Sequence, residues 1–308
     1  MDLEEFYPPE KLQSHLCIIS FQEALIKLNK TNIESTSLSI LRTPLISHPD
    51  LVRRIAFDIF HIASIRPGHI PYLVGVLKIL IDHQSMYNNL SDLKDLITPK
   101  DIPNQRWYRS FLINCILKQV ISMDDFMSLL TSYPAGESLF LLFCWFAPLI
   151  QSRDRTVYEN ILSCFQHKDT KLTPELEFFR NHFDEMKEEN WKTQRLYFQN
   201  GYNKCTIEYY IKNDMDEKLM ELISSTEVIE DKLDTKIHTY THSPDKEFDY
   251  NQRVENSLFE RSDFIRHHPT LIQFAAFYGS KRCFSLFLSK GADTKILDDE
   301  GKSLIQFV

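Results

Sequence analysis

One tetrapeptide occurs twice near the C-terminal end of this chain. Leu271-Ile272-Gln273-Phe274 returns as Leu304-Ile305-Gln306-Phe307, 33 residues later. A fixed period of this length constrains the fold more than any composition does. It marks one supersecondary unit used repeatedly, and each unit buries its apolar face only against its neighbour. Both copies follow a hydroxyl residue, Thr270 or Ser303, with Gln three places after it. That spacing is a capping box: the hydroxyl accepts from a first-turn backbone N–H, and the Gln side chain reaches back to the cap residue. Each copy is therefore expected to start a helix.

The segment from Pro269 to Val308 carries more of the pattern: Ala275-Ala276, Gly279, Gly291-Ala292-Asp293 and Asp298-Asp299-Glu300-Gly301. Over these residues the chain closely resembles the ankyrin-repeat family, whose period is also 33. The resemblance places Ala275-Ala276 on an inner helix that packs too closely for larger side chains. Gly279 ends that helix in a left-handed conformation that carries no penalty for glycine. Cys283, Phe284, Phe287 and Leu288 form one apolar stripe on the outer helix. The two glycine turns then match the family's hairpin. The usual Thr-Pro-Leu-His start is Thr270-Leu271-Ile272-Gln273 here, without the proline and with Gln for His. One full repeat is expected. A second begins and stops at Val308 inside its first helix, so the chain reads as cut short there or completed by a partner.

A degenerate copy lies upstream. Gly279, Phe284, Phe287 and Leu288 stand at +7, +12, +15 and +16 from Ile272. Asp214, Leu219, Leu222 and Ile223 stand at the same offsets from Ile207, which is 65 residues before Ile272. The polar stretch 226–264 between them reads as an elongated hairpin loop, with Phe248-Asp249-Tyr250-Asn251 as a candidate strand. An ordinary helix pair is the alternative reading of 205–224.

The first 200 residues read as helices, with few glycines and no strand-like alternation. Candidates are 10–29, a helix capped by Asp50 and running to Ile65, Tyr72–Asp82, 104–120, 123–132, 136–150, 154–167 and 173–198. Together with Ser257–Arg261, Phe264 and the Pro269–Ser280 run, this arrangement resembles the ankyrin proteins numerous in some parasitic protists. Those join a helical N-terminal region to ankyrin repeats. That family largely lacks assigned partners, so the resemblance implies a fold and a class of work but no mechanism.

Composition excludes several classes. The formal charge of −8 argues against a nucleic-acid footprint, which needs a basic face. Glycine is too scarce for a phosphate-cradling loop, and neither a nucleophile elbow nor a His-Glu-x-x-His metal helix occurs. The six cysteines are scattered with no Cys-x-x-Cys, as expected of buried thiols in a reducing compartment. The N-terminus, acidic and without an apolar core, lacks the marks of a signal peptide. Leu139–Ile150 is too short to span a bilayer and contains Pro148.

Other motifs have plain readings beside sharper ones. His238 and His242 would share a helix face for a metal, but Thr239, Tyr240, Thr241 and Pro244 disfavour a helix and no third ligand is near. Cys144, among Phe143, Trp145 and Phe146, reads as core rather than nucleophile. Trp107-Tyr108 between Arg106 and Arg109 reads as packing with solvated flanks, or as a base-stacking platform. Asp184–Lys192 reads as a solvated helix face or connector, or as an acidic docking stripe.

The expected architecture is all-α: an irregular helical array or bundle over 1–200, then a short, incomplete ankyrin-repeat solenoid over 201–308. The expected work is non-enzymatic protein–protein interaction, with no cofactor or metal, in the cytoplasm. Carried over by position, the family's contact sites are His267, Phe274, Phe277, Tyr278, Lys295, Asp299, Glu300 and Lys302. Two other classes remain open. One is a regulatory or effector protein with an enzyme in residues 1–200, which convergent titratable groups in a cleft would favour. The other is a helical-repeat nucleic-acid binder, which a continuous Lys/Arg stripe would favour.

Overall fold

The computed structural model describes residues 9–98, 105–204, 206–224 and 248–308. Over those residues the protein is all-α, with no strand and one isolated antiparallel bridge between Arg253 and Thr270. The chain folds as two compact units, Met1–Leu142 and Phe143–Val308. The division expected from the sequence was at residue 200. Residues 143–200 instead fold with the C-terminal segment, because Trp145 packs against Phe198 and Phe259 and donates from its indole to the Leu258 carbonyl at 3.1 Å.

The first unit contains α1 (Pro9–Ile26), α2 (Ile33–Leu41), α3 (Pro49–Ile65), α4 (Ile70–Asp82), α5 (Leu93–Leu96), α6 (Arg106–Leu117) and α7 (Met123–Ser132). Pro49 occupies the first helical position of α3, where its missing N–H costs nothing. The cap is therefore His48, whose Nδ1 accepts from the Asp50 N–H at 3.3 Å, and not Asp50 as expected. The helix α2 lies against Gly75 of α4, where an added Cβ would sit 3.1 Å from the Ile33 side chain. Ser122 and Asp125 form a capping box on α7. Trp107 and Tyr108 are buried and pack against Phe60, Trp107 tilted and Tyr108 edge-on, and Tyr108 stacks on Phe111. Their flanks were expected to be solvated, but Arg106 and Arg109 are buried with them.

α8 (Glu137–Arg153) crosses the boundary between the units. The second unit continues with α9 (Arg155–Gln166), α10 (Pro174–Asn181), α11 (Phe183–Asn200), α12 (Ile207–Lys212), α13 (Asp216–Ser224), α14 (Leu271–Tyr278) and α15 (Lys281–Ser289). The single helix expected over 173–198 is two helices, and the second is itself broken. Glu189, Asn190 and Trp191 are consecutive left-handed residues at φ 47, 56 and 64°. A left-handed non-glycine residue costs roughly 1–2 kcal/mol. Burial of Trp191 and its indole hydrogen bond to the Gln151 side-chain oxygen at 2.9 Å offset that cost.

The two C-terminal helix pairs have the same design. Thr206 accepts from Tyr209 N–H at the start of α12, and Thr270 accepts from Gln273 N–H at the start of α14. After each inner helix comes a left-handed residue, Asp214 (φ 53°) or Gly279 (φ 65°). Asp214 keeps this conformation without being glycine because its Oδ1 accepts from Arg282 N–H at 2.9 Å and Cys283 N–H at 3.0 Å. It thereby caps α15, whose own cap residue, Ser280, makes no side-chain bond. The helix α12 packs on α14, α14 packs on a short 3-10 turn at Leu304–Phe307, and α13 packs on α15. The candidate strand at 248–251 is a turn, because Asp249 Oδ1 captures the Asn251 N–H at 2.8 Å.

Candidate interaction surface

Gln273 organises the surface beyond the end of α14. Its buried side chain accepts from the Thr270 N–H at 2.7 Å. The same amide donates to the Ile296 carbonyl at 3.0 Å and to the Lys302 carbonyl at 3.1 Å. One residue thus caps a helix and fixes both sides of the 293–302 loop. Asp298 closes the loop tip: its buried carboxylate accepts from Glu300 N–H at 3.0 Å and Lys302 N–H at 2.7 Å. Gly301 stands next in the turn at φ 82°, as the Asp-x-x-Gly pattern requires.

Charged groups tie this loop to the segment before α14. Arg253 pairs with Asp299 at 3.2 Å and donates to the carbonyls of His268 and Leu297. His268 Nδ1 lies 2.8 Å from Asp299 and His267 lies 3.5 Å from Glu300. Glu300 also accepts from Lys302, and that hydrogen bond holds its carboxyl below the usual carboxylate range, with His267 contributing. Lys302 in turn sits over the Phe264 ring, 4.3 Å from its centroid.

The predicted contact residues separate into three groups. Lys295, Asp299 and Glu300 are exposed on the loop. His267, Lys302, Phe277 and Tyr278 are half-buried, and each is engaged within the protein. Phe277 stacks on Phe264 at 5.5 Å. Phe274 is fully buried against Tyr202 and Tyr278, so its assignment as a contact residue is corrected to core. The helix turns it toward the preceding helix pair rather than toward solvent.

Sequence reasoning missed a second set of residues. Glu260 is completely buried, yet its carboxylate accepts from Lys212 Nζ at 3.0 Å and from the backbone N–H groups of Arg261 at 2.7 Å and Ser262 at 3.0 Å. Burial pushes this carboxyl up, but the Lys212 charge and the Tyr278 hydrogen bond outweigh it and leave the group below its ordinary value. The Tyr278 phenol is driven well above its ordinary range by burial and by the Glu260 charge. Lys212 also lies over the Tyr278 ring at 4.6 Å. Lys212 and Glu260 stand 48 residues apart, so no local signal announces the pair. Leu297, 46% exposed among the loop charges, was also unmarked.

Among the described residues no group of three metal-type ligands occurs, and no helix is long and apolar enough to cross a membrane. His238 and His242 lie outside the described residues. Set against protein-family models, curated proteins and solved structures, the chain matches none.

Proposed function

We propose that residues 201–308 form a short ankyrin-type repeat region and that this chain is a non-enzymatic interaction protein. The observation carrying this reading is the thrice-used helix start. Thr206, Thr270 and Ser303 each begin a helical turn, and these turns pack in succession. A left-handed residue closes each of the first two inner helices. Stacked short units of this kind present their loops side by side, and such surfaces commonly serve binding.

The docking surface in this reading is the loop 293–302, with Lys295, Asp299 and Glu300 as charged rim and Leu297 as the apolar contact among them. Rim charges steer association and set orientation, while desolvated apolar side chains carry more of the affinity. Phe277 and Tyr278 act chiefly inside the protein, Phe277 against Phe264 and Tyr278 beside Lys212 and Glu260. The partner is a protein rather than nucleic acid, which fits the net charge of −8. Scattered cysteines fit a reducing, intracellular setting.

Affinity capture with the full chain and with the Lys295→Glu/Glu300→Lys double variant tests this reading. Proteins retained by the parent chain and lost from an equally folded variant are expected. An identical set of retained proteins would move the binding surface elsewhere.

A further inference from the structure

The turn inside α11 conflicts with its own sequence. Glu, Met, Lys, Gln, Arg and Leu in FDEMKEENWKTQRLYFQN favour a right-handed helix. A continuous helix would also set Glu188 four residues before Lys192, a favourable pairing. The chain instead breaks at Glu188 and runs through three left-handed residues, none of them glycine. A bulky residue such as Trp191 is rarely found there.

What holds the break is a set of contacts from one side chain. Trp191 is buried, donates to Gln151, and meets the rings of Phe183 at 5.7 Å and Tyr158 at 6.4 Å edge-on. Lys187, itself exposed, lies over both of those rings at 5.9 and 5.8 Å. The two arms of α11 are anchored separately. Phe183 and Met186 are buried before the break, and Gln194 donates to the Cys144 carbonyl at 2.6 Å after it. Returning the three residues to right-handed geometry rotates one arm against the other. Trp191 and Gln194 then cannot both keep their present contacts.

We propose that Glu188–Trp191 is a two-state latch. In the closed state the left-handed turn seats Trp191 against Gln151, Tyr158 and Phe183. In the open state Phe183–Asn200 is one right-handed helix and the indole is released. Local propensity favours the open state and tertiary burial favours the closed one, so the two compete within a single element. A ligand that engages the released indole, or the site it leaves, shifts the population toward the open form. Exposed tryptophan is a frequent centre of protein interfaces.

Fluorine NMR of the full chain labelled with 5-fluorotryptophan tests the latch, because the protein has three tryptophans. Loss of one line in Trp191→Phe assigns the signal. A second Trp191 line, or exchange broadening, is expected in the parent. Asn190→Gly removes the left-handed penalty and lowers the minor population by at least roughly fivefold. Asn190→Ala favours the right-handed helix and raises it about threefold. A single sharp Trp191 line in the parent and both variants overturns the proposal. If Asn190→Ala does not fold, the glycine variant decides alone: exchange broadening that it leaves unchanged also overturns it.

Discussion

Glu260 shows how far a single residue can matter in this fold. It is wholly buried, and Lys212, Tyr278 and two backbone N–H groups compensate its charge, with the Arg261 guanidinium also attracted to it. Removing one member of such a pair leaves the other buried and unpaired, at a cost of about 3–5 kcal/mol. Lys212→Met is therefore expected to lose that much stability in urea denaturation at neutral pH. Because the folded carboxyl is depressed, its stabilising effect is present above the unfolded value of about 4.3 and disappears as pH falls through the lower folded value. The stability gap between parent and Glu260→Gln should thus narrow as pH falls below about 4.3 and through the folded value; a gap that stays constant there argues against an ionised Glu260. Gly201 and Gly279 make a second comparison. Both have positive φ, at 82 and 65°, but an added Cβ at Gly201 would lie 3.0 Å from Lys212 Nζ and 3.2 Å from Glu260 Oε2. Nothing lies within 4 Å at Gly279. Alanine at Gly279 is expected to cost about 1–2 kcal/mol from backbone strain alone. Alanine at Gly201 should cost more, and equal denaturation midpoints for the two would show that the Lys212–Glu260 pair yields freely.

Among the elements, the α14–loop unit depends most on one side chain. Gln273→Ala removes the cap on Thr270 and both bonds that hold the loop. Hydrogen exchange should quicken across 293–303 while α15 stays protected; unchanged exchange in the loop would show that the ion pairs alone hold it. This unit was legible in the chain because its determinants are local: a hydroxyl, a Gln three residues on, and glycines at positive φ. Asp214 was legible for the same reason, by its alignment with Gly279. Helix α2 was not anticipated, since IESTSLSIL is poor in strong helix formers and its polar Thr36 and Ser37 are buried by packing, with Ser37 bonded to the Ile33 carbonyl at 2.8 Å. The break in α11 opposes local propensity, and the Lys212–Glu260 pair joins distant segments. Neither leaves a pattern to read. Phe274 was misread because a contact position transferred from a resemblance says nothing about what a particular neighbour covers. Here the neighbour is Tyr202.

At the scale of the whole molecule, two compact units divide the chain differently from the expected boundary, and the C-terminal one includes the helices from residue 143 onward. Its exposed loop 293–302 joins charge of both signs to a partly exposed leucine. A bound protein should therefore footprint that loop and little of the first unit. Association should also slow at high salt as the loop charges are screened. Hydrogen exchange of the full chain, with and without a partner isolated by capture, reads this directly. New protection is expected to concentrate in residues 293–303. Protection confined to the first unit, with the loop unchanged, would contradict a docking role for the loop.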